Sequence, residues 1–125
     1  MIGYTIFGSN DLERSTEFYD AVFGSIGYKQ CYREEFFITW GKEGMGEFAI
    51  SKPFDGNPAT NGNGTMIAIL AGSKENVAKG HAAALEAGAK DEGDPGYRGD
   101  ENMKFYAAYF RDPDNNKLAL FTIGI

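Results

Sequence analysis

The chain has 125 residues, 42% of them hydrophobic and 14% aromatic, which suits one folded domain with a sizeable core and excludes an intrinsically disordered chain. Its 18 acidic and 12 basic side chains leave a net charge of −6, which repels phosphate backbones and anionic lipid and disfavours nucleic-acid and membrane partners. One His and one Cys exclude an intrachain disulfide, a zinc finger, a Cys-rich cluster and any multi-His metal site built within one chain.

No apolar run approaches the roughly 20 residues needed to span a bilayer. No charged and apolar leader opens the sequence, so a cytoplasmic protein is expected. Lone Cys31 fits a reducing compartment. The Asn63-Gly64-Thr65 sequon has no secretion signal to give it meaning.

Taken in chain order, Ile2–Phe7 alternates as a strand. Asn10 is the expected N-cap of a helix, with Glu13 completing a capping box. Leu12, Tyr19, Val22, Phe23 and Ile26 fall on one face of that helix, and Gly27 stops it. Strands are expected at Tyr28–Arg33, Glu35–Trp40 and Glu47–Ser51, the last two joined by a Gly-rich turn. Residues 52–64 are turn chemistry throughout and form a linker.

The second half repeats the plan. Thr65–Ala71 reads as a strand and Ser73 as a cap. Val77, His81, Ala84 and Leu85 mark a helix face, and Gly88 its stop. A strand near Ala89–Glu92 leads into a polar loop over 91–101, and strands at Lys104–Arg111 and Lys117–Ile123 flank a turn. The fold class is therefore α+β: a single domain, 1–125, made of two βαβββ modules, about 1–51 and 65–125, with curved mixed sheets around a shared cavity and helices on the outer face. A sheet with one helix buries only one of its faces, and a module of about 60 residues is marginal alone. Two modules can close around a common cavity, the default ligand site.

Three motifs carry a family resemblance. Asn10-Asp11-Leu12-Glu13-Arg14-Ser15 with Phe18-Tyr19, Gly64-Thr65-Met66-Ile67-Ala68, and Arg111-Asp112-Pro113-Asp114-Asn115-Asn116-Lys117-Leu118 resemble the vicinal oxygen chelate superfamily, which includes glyoxalase I, extradiol dioxygenases and the fosfomycin and bleomycin resistance proteins. Asn115 stands where this family usually has Gly, and Asn tolerates the left-handed turn conformation.

The resemblance implies a divalent ion held by His on the first strand, His on the strand opening the second module, and Glu on the last strand. The matching positions here are Tyr4, Met66 and Ala119, with an optional fourth at Ala49 or a neighbour. None is a competent ligand for a hard divalent ion. The expectation is no metal and no cofactor.

Other candidates are weaker. His81 reads as a partly buried helix residue with a satisfied ring nitrogen, and Cys31 as strand packing. Asp112–Asn116 starts like a calcium loop, but Lys117 and Ile123 occupy the places that need Gly and Glu. Gly41, Gly44 and Gly46 precede no helix and are not a phosphate loop.

By alternation Ile6, Ala68, Leu70, Lys117 and Phe121 share the faces of Tyr4 and Met66. Trp40, Phe48, Phe105, Tyr106 and Tyr109 lie on the other strands, facing either way. The candidate cavity set is Tyr4, Trp40, Phe48, Met66, Tyr106, Tyr109, Lys117, Ala119 and Phe121; ordinary core packing is the simpler reading of the aromatics among them. No catalytic residue is assigned. The resulting expectation is a glyoxalase/bleomycin resistance-like protein binding a small organic molecule, planar or cationic, in an aromatic-lined cavity. The alternative is a lyase, isomerase or dioxygenase of the same superfamily, relying on groups such as Tyr4, Glu47 or Lys117. A homodimer is expected by analogy, and the linker permits module pairing within or between chains.

Overall fold

A computed structural model describes residues 1–124. The first half contains β1 (Tyr4–Gly8), α1 (Leu12–Ser25), β2 (Lys29–Glu34), β3 (Phe37–Gly41) and β4 (Glu47–Ser51). The second contains β5 (Ile67–Leu70), α2 (Lys74–Glu86), β6 (Lys90–Tyr97), β7 (Tyr106–Arg111) and β8 (Lys117–Thr122). Each half forms its own four-stranded sheet, in the orders β1-β4-β3-β2 and β5-β8-β7-β6. In both, the first strand runs parallel to the last of its module and the remaining pairings are antiparallel.

The two registers superimpose the repeats. Ser9 N bonds Ser51 O, and Ala71 N bonds Phe121 O. Tyr4 pairs with Glu47 and Ile6 with Ala49, while Ala68 pairs with Ala119. Ile6 thus corresponds to Ala68, Ala49 to Ala119, and, two residues back, Tyr4 to Met66 and Glu47 to Lys117.

Local chemistry explains the helix limits. Asp11, rather than the expected Asn10, caps α1 by accepting from Arg14 N at 3.1 Å. Asn10 instead grips the linker: it accepts from Ala59 N at 2.7 Å and donates to Ala59 O at 3.2 Å. Ser73 caps α2, accepting from Asn76 N at 3.1 Å. Gly27 and Gly88 follow the helices with φ of 91° and 105°, a conformation glycine adopts without a Cβ penalty.

Alternation sends Phe7, Ile38, Trp40, Phe48 and Ile50 of the first sheet, and Phe110, Leu118 and Leu120 of the second, toward the helices. They meet Phe18, Tyr19, Val22 and Phe23 of α1 and Val77 and Ala84 of α2 in one core. Burying each large apolar side chain contributes about 1.5–3 kcal/mol.

Edge strands depart most from the sequence expectation. β6 runs on to Tyr97, so much of the expected polar loop is strand, followed by a short 3-10 turn at Glu101–Met103. It forms through backbone pairing to β7, with register breaks between Asp91 and Gly93 and between Gly93 and Gly96. No apolar alternation is needed for that. β2 is exposed along its whole length. Cys31, expected to be packed, is an exposed free thiol on it.

Candidate functional site

A cavity of about 380 Å³ lies between the start of β1, the β3–β4 turn and β5, lined by residues of both modules. Its position follows from close backbone contacts. The β3–β4 turn folds under the start of β1, where Glu47 N donates to Gly3 O at 2.9 Å. A Cβ on Gly46 would stand 2.9 Å from Ile2 O, so only glycine allows this approach. At the opposite side, the Tyr28 hydroxyl donates to Leu70 O at 2.6 Å, a bond between the two halves.

The lining is mostly apolar. Tyr28 supplies half-buried aromatic surface over a floor of buried Trp40, Phe48 and Phe23, and Met45, Met66, Ile67 and Ile69 supply flexible or branched aliphatic surface. Trp40 Nε1 is engaged by Asp20 at 2.9 Å, which leaves its ring as apolar wall. Glu47 is the charged residue of the lining, and its carboxylate accepts from the Thr39 hydroxyl. Burial, and then the Glu47 charge, push the nearby Cys31 thiol above its ordinary pKa. Lys42 Nζ lies 5.3 Å from the Tyr28 ring centroid.

The expected site residues divide into groups. Trp40, Phe48 and Met66 line this cavity, the first two while also belonging to the core. Tyr4 is exposed on β1, with its ring edge-on to Phe37 at 6.0 Å. Tyr109 lies 5.7 Å from Lys117 Nζ, Phe121 stacks on Phe105 at 5.4 Å, and Tyr106 packs against Tyr97 at 5.1 Å. Ala119 is buried in β8. None of these last six lines the cavity.

Phe23, Tyr28, Met45, Ile67 and Ile69 are lining residues that the sequence reading missed. Two of them, Ile67 and Ile69, alternate with the expected face. A cavity at a seam between sheets collects side chains from both faces of an edge strand, and period-two reasoning cannot show that.

Tyr4, Met66, Ala119 and Ala49, the positions matched to metal ligands, carry a phenol, a thioether and two methyl groups. The described residues contain one cluster of three metal-competent side chains, His81, Asp91 and Asp94, away from this cavity.

Two βαβββ modules, each with a parallel first-to-last strand pair, joined through one core and enclosing a cavity at their seam, define a paired-module α+β protein. The chain belongs to the Glyoxalase/Bleomycin resistance protein/Dioxygenase superfamily, whose sequence profile matches residues 1–120. It is similar to a glyoxalase/bleomycin resistance protein from Albidiferax ferrireducens T118, with 37% identity, coverage of 97% of each chain and a TM-score of 0.88. A glyoxalase/bleomycin resistance protein/dioxygenase family enzyme from Burkholderia phytofirmans PsJN shares the fold at 20% identity, with 98% of each chain covered and a TM-score of 0.75. A glyoxalase-related enzyme from Fulvimarina pelagi does so at 17% identity, covering 100% of this chain and 97% of its own, with a TM-score of 0.74. A search among curated proteins finds no match.

Proposed function

We propose that the protein binds a small organic molecule, planar and preferably cationic, in the cavity at the module seam, without a divalent ion at the superfamily's usual ligand positions. The observation carrying this reading is the lining: the Tyr28 ring and aliphatic walls over a floor of buried aromatics, with Glu47 as their charged group. Aromatic faces attract flat and cationic ligands, and a carboxylate in a partly desolvated wall strengthens the preference for positive charge. A phenol, a thioether and two methyl groups do not make a cage for a hard cation, so no reaction step is assigned to such an ion. Acid–base chemistry in the cavity would fall to Glu47. Acid–base help alone supplies about 10²–10⁴-fold, and binding is therefore favoured over lyase, isomerase or dioxygenase chemistry.

A homodimer is part of the proposal, since Tyr4, Ile6, Met66 and Leu70 leave apolar surface exposed on β1 and around β5. The acidic net charge disfavours nucleic-acid and membrane partners, and among the described residues no helix is long and apolar enough to cross a membrane. The free Cys31 fits the cytoplasm. Light scattering on the eluting protein tests the dimer, with a monomer at micromolar concentration rejecting it. A thermal-shift screen of aromatic and cationic compounds tests the function, because a ligand at a hundredfold excess over Kd stabilises the fold by about 2.7 kcal/mol. Absence of any such shift rejects the binding reading.

A further inference from the structure

We propose that His81, Asp91 and Asp94 form a divalent transition-metal site, best matched to Zn²⁺, between α2 and β6. One ligand-competent atom from each of the three residues lies within 4.8 Å of the others. His81 Nε2 and Asp91 Oδ1 are 3.0 Å apart. Zinc bonds of about 2.0–2.2 Å to nitrogen and oxygen place neighbouring ligand atoms roughly 3–3.5 Å apart. Drawing the Asp94 carboxylate in from this spacing would complete a three-ligand set, with water filling the open positions.

Two independent features point to an ion rather than to a pair of stray surface acids. The first is His81. The residue is only 4% exposed, and its Nε2 meets the Asp91 carboxylate, offering the imidazole nitrogen that favours zinc over calcium or magnesium. The second is charge. Among the described residues no Lys or Arg pairs with Asp91 or Asp94. Arg111 is taken by Glu92, and Arg98 donates to the backbone carbonyl of Asp94. The two carboxylates thus lack a Lys or Arg partner.

The strand is shaped to bring them together. Residues three apart on a regular strand point to opposite faces. The register breaks after Asp91 and after Gly93 cancel that, so Asp94 returns to the side of Asp91. The site is separate from the ligand cavity and does not depend on the reading given to it. In this role the ion would clamp α2 to the edge strand.

A purely structural His81–Asp91 tie has no use for Asp94, and this separates the two accounts. The untagged, chelator-stripped full chain is titrated with zinc chloride in a calorimeter, beside Asp94→Asn and His81→Gln. The expected result is one zinc per chain and a zinc-dependent rise in Tm. Affinity should fall at least tenfold in Asp94→Asn, with its metal-free Tm unchanged, and binding should be lost in His81→Gln. Absence of stoichiometric zinc in the natural chain, or equal affinity in Asp94→Asn, overturns the proposal. Asp94 is exposed, so that arm decides the matter even if His81→Gln fails to fold.

Discussion

Tyr19 on α1 donates a 2.6 Å hydrogen bond to the Asp112 carboxylate at the β7–β8 turn, joining a helix of the first module to a turn of the second. Both side chains are buried. Asp112 also accepts from Asn116 N at 2.8 Å and Asn116 Nδ2 at 3.0 Å. Beside it, Asp114 accepts from Ser9, Ser15 and Arg14. The acidic turn that superficially resembles a calcium loop is thus a joint between modules, with its acceptors occupied by protein donors. Tyr19→Phe removes a donor from a buried carboxylate and should cost about 1.5–3 kcal/mol. Urea unfolding measures this, and an unchanged midpoint would show that the joint carries no stability.

Burial raises the Asp112 pKa despite the opposing hydrogen bonds from Tyr19 and Asn116. Between the ordinary carboxylate value and that raised value, the native state holds more protons than the unfolded chain, so stability falls as pH rises through the window. Asp91 is shifted the other way, chiefly by the Gly93 N–H and then by His81. Its contribution is present above the ordinary range and is lost as pH falls through its lowered native value. A ¹³C NMR titration of the aspartate carboxyls should place Asp112 above the ordinary Asp range and Asp91 below it. Coincident midpoints would contradict both assignments.

Asn115 adopts a φ of 69°, the left-handed conformation that Asn tolerates better than most residues. Asn115→Ala should lose about 1–2 kcal/mol, because an alanine Cβ is disfavoured there, whereas Asn115→Gly should be tolerated. Chemical denaturation of the two variants checks the order, and an alanine variant as stable as the glycine variant would refute it.

Gly80 lets α2 approach its neighbours. A Cβ there would lie 2.5 Å from Leu120 Cδ1 and 3.1 Å from Ile26 Cγ2, and both neighbours are buried. Gly80→Ala gains about 1 kcal/mol of helix propensity against about 1–3 kcal/mol of overpacking. A net loss is expected, read as a lower Tm. A raised Tm would mean that the core yields at this point.

Local signals made much of the fold legible. Ser73 as a cap, Gly27 and Gly88 as stops, and the alternation that leaves Tyr4 and Ile6 exposed beside buried Phe7 each depend on nearby residues. Asn10 was harder to place, since Asn and Asp cap about equally well and only the tie to Ala59 decides between positions 10 and 11. β6 was obscured because an edge strand pairs through its backbone and tolerates Gly and Pro at its bulges. The cavity was only partly legible. Trp40, Phe48 and Met66 were among the candidates, but Tyr28 and Phe23 reach it through packing between modules, which no periodicity within one element encodes.

We propose that the seam cavity binds an organic cation through the Tyr28 ring, its apolar walls and the Glu47 carboxylate. The most direct test is calorimetric affinity of the strongest cationic aromatic compound from a thermal-shift screen, measured on the natural chain and on Glu47→Gln. Loss of a charge-assisted contact worth about 1.5–3 kcal/mol predicts affinity at least tenfold weaker in the variant, while a neutral analogue of the compound binds both proteins alike. Equal affinity of the cation for the two proteins would contradict the claim.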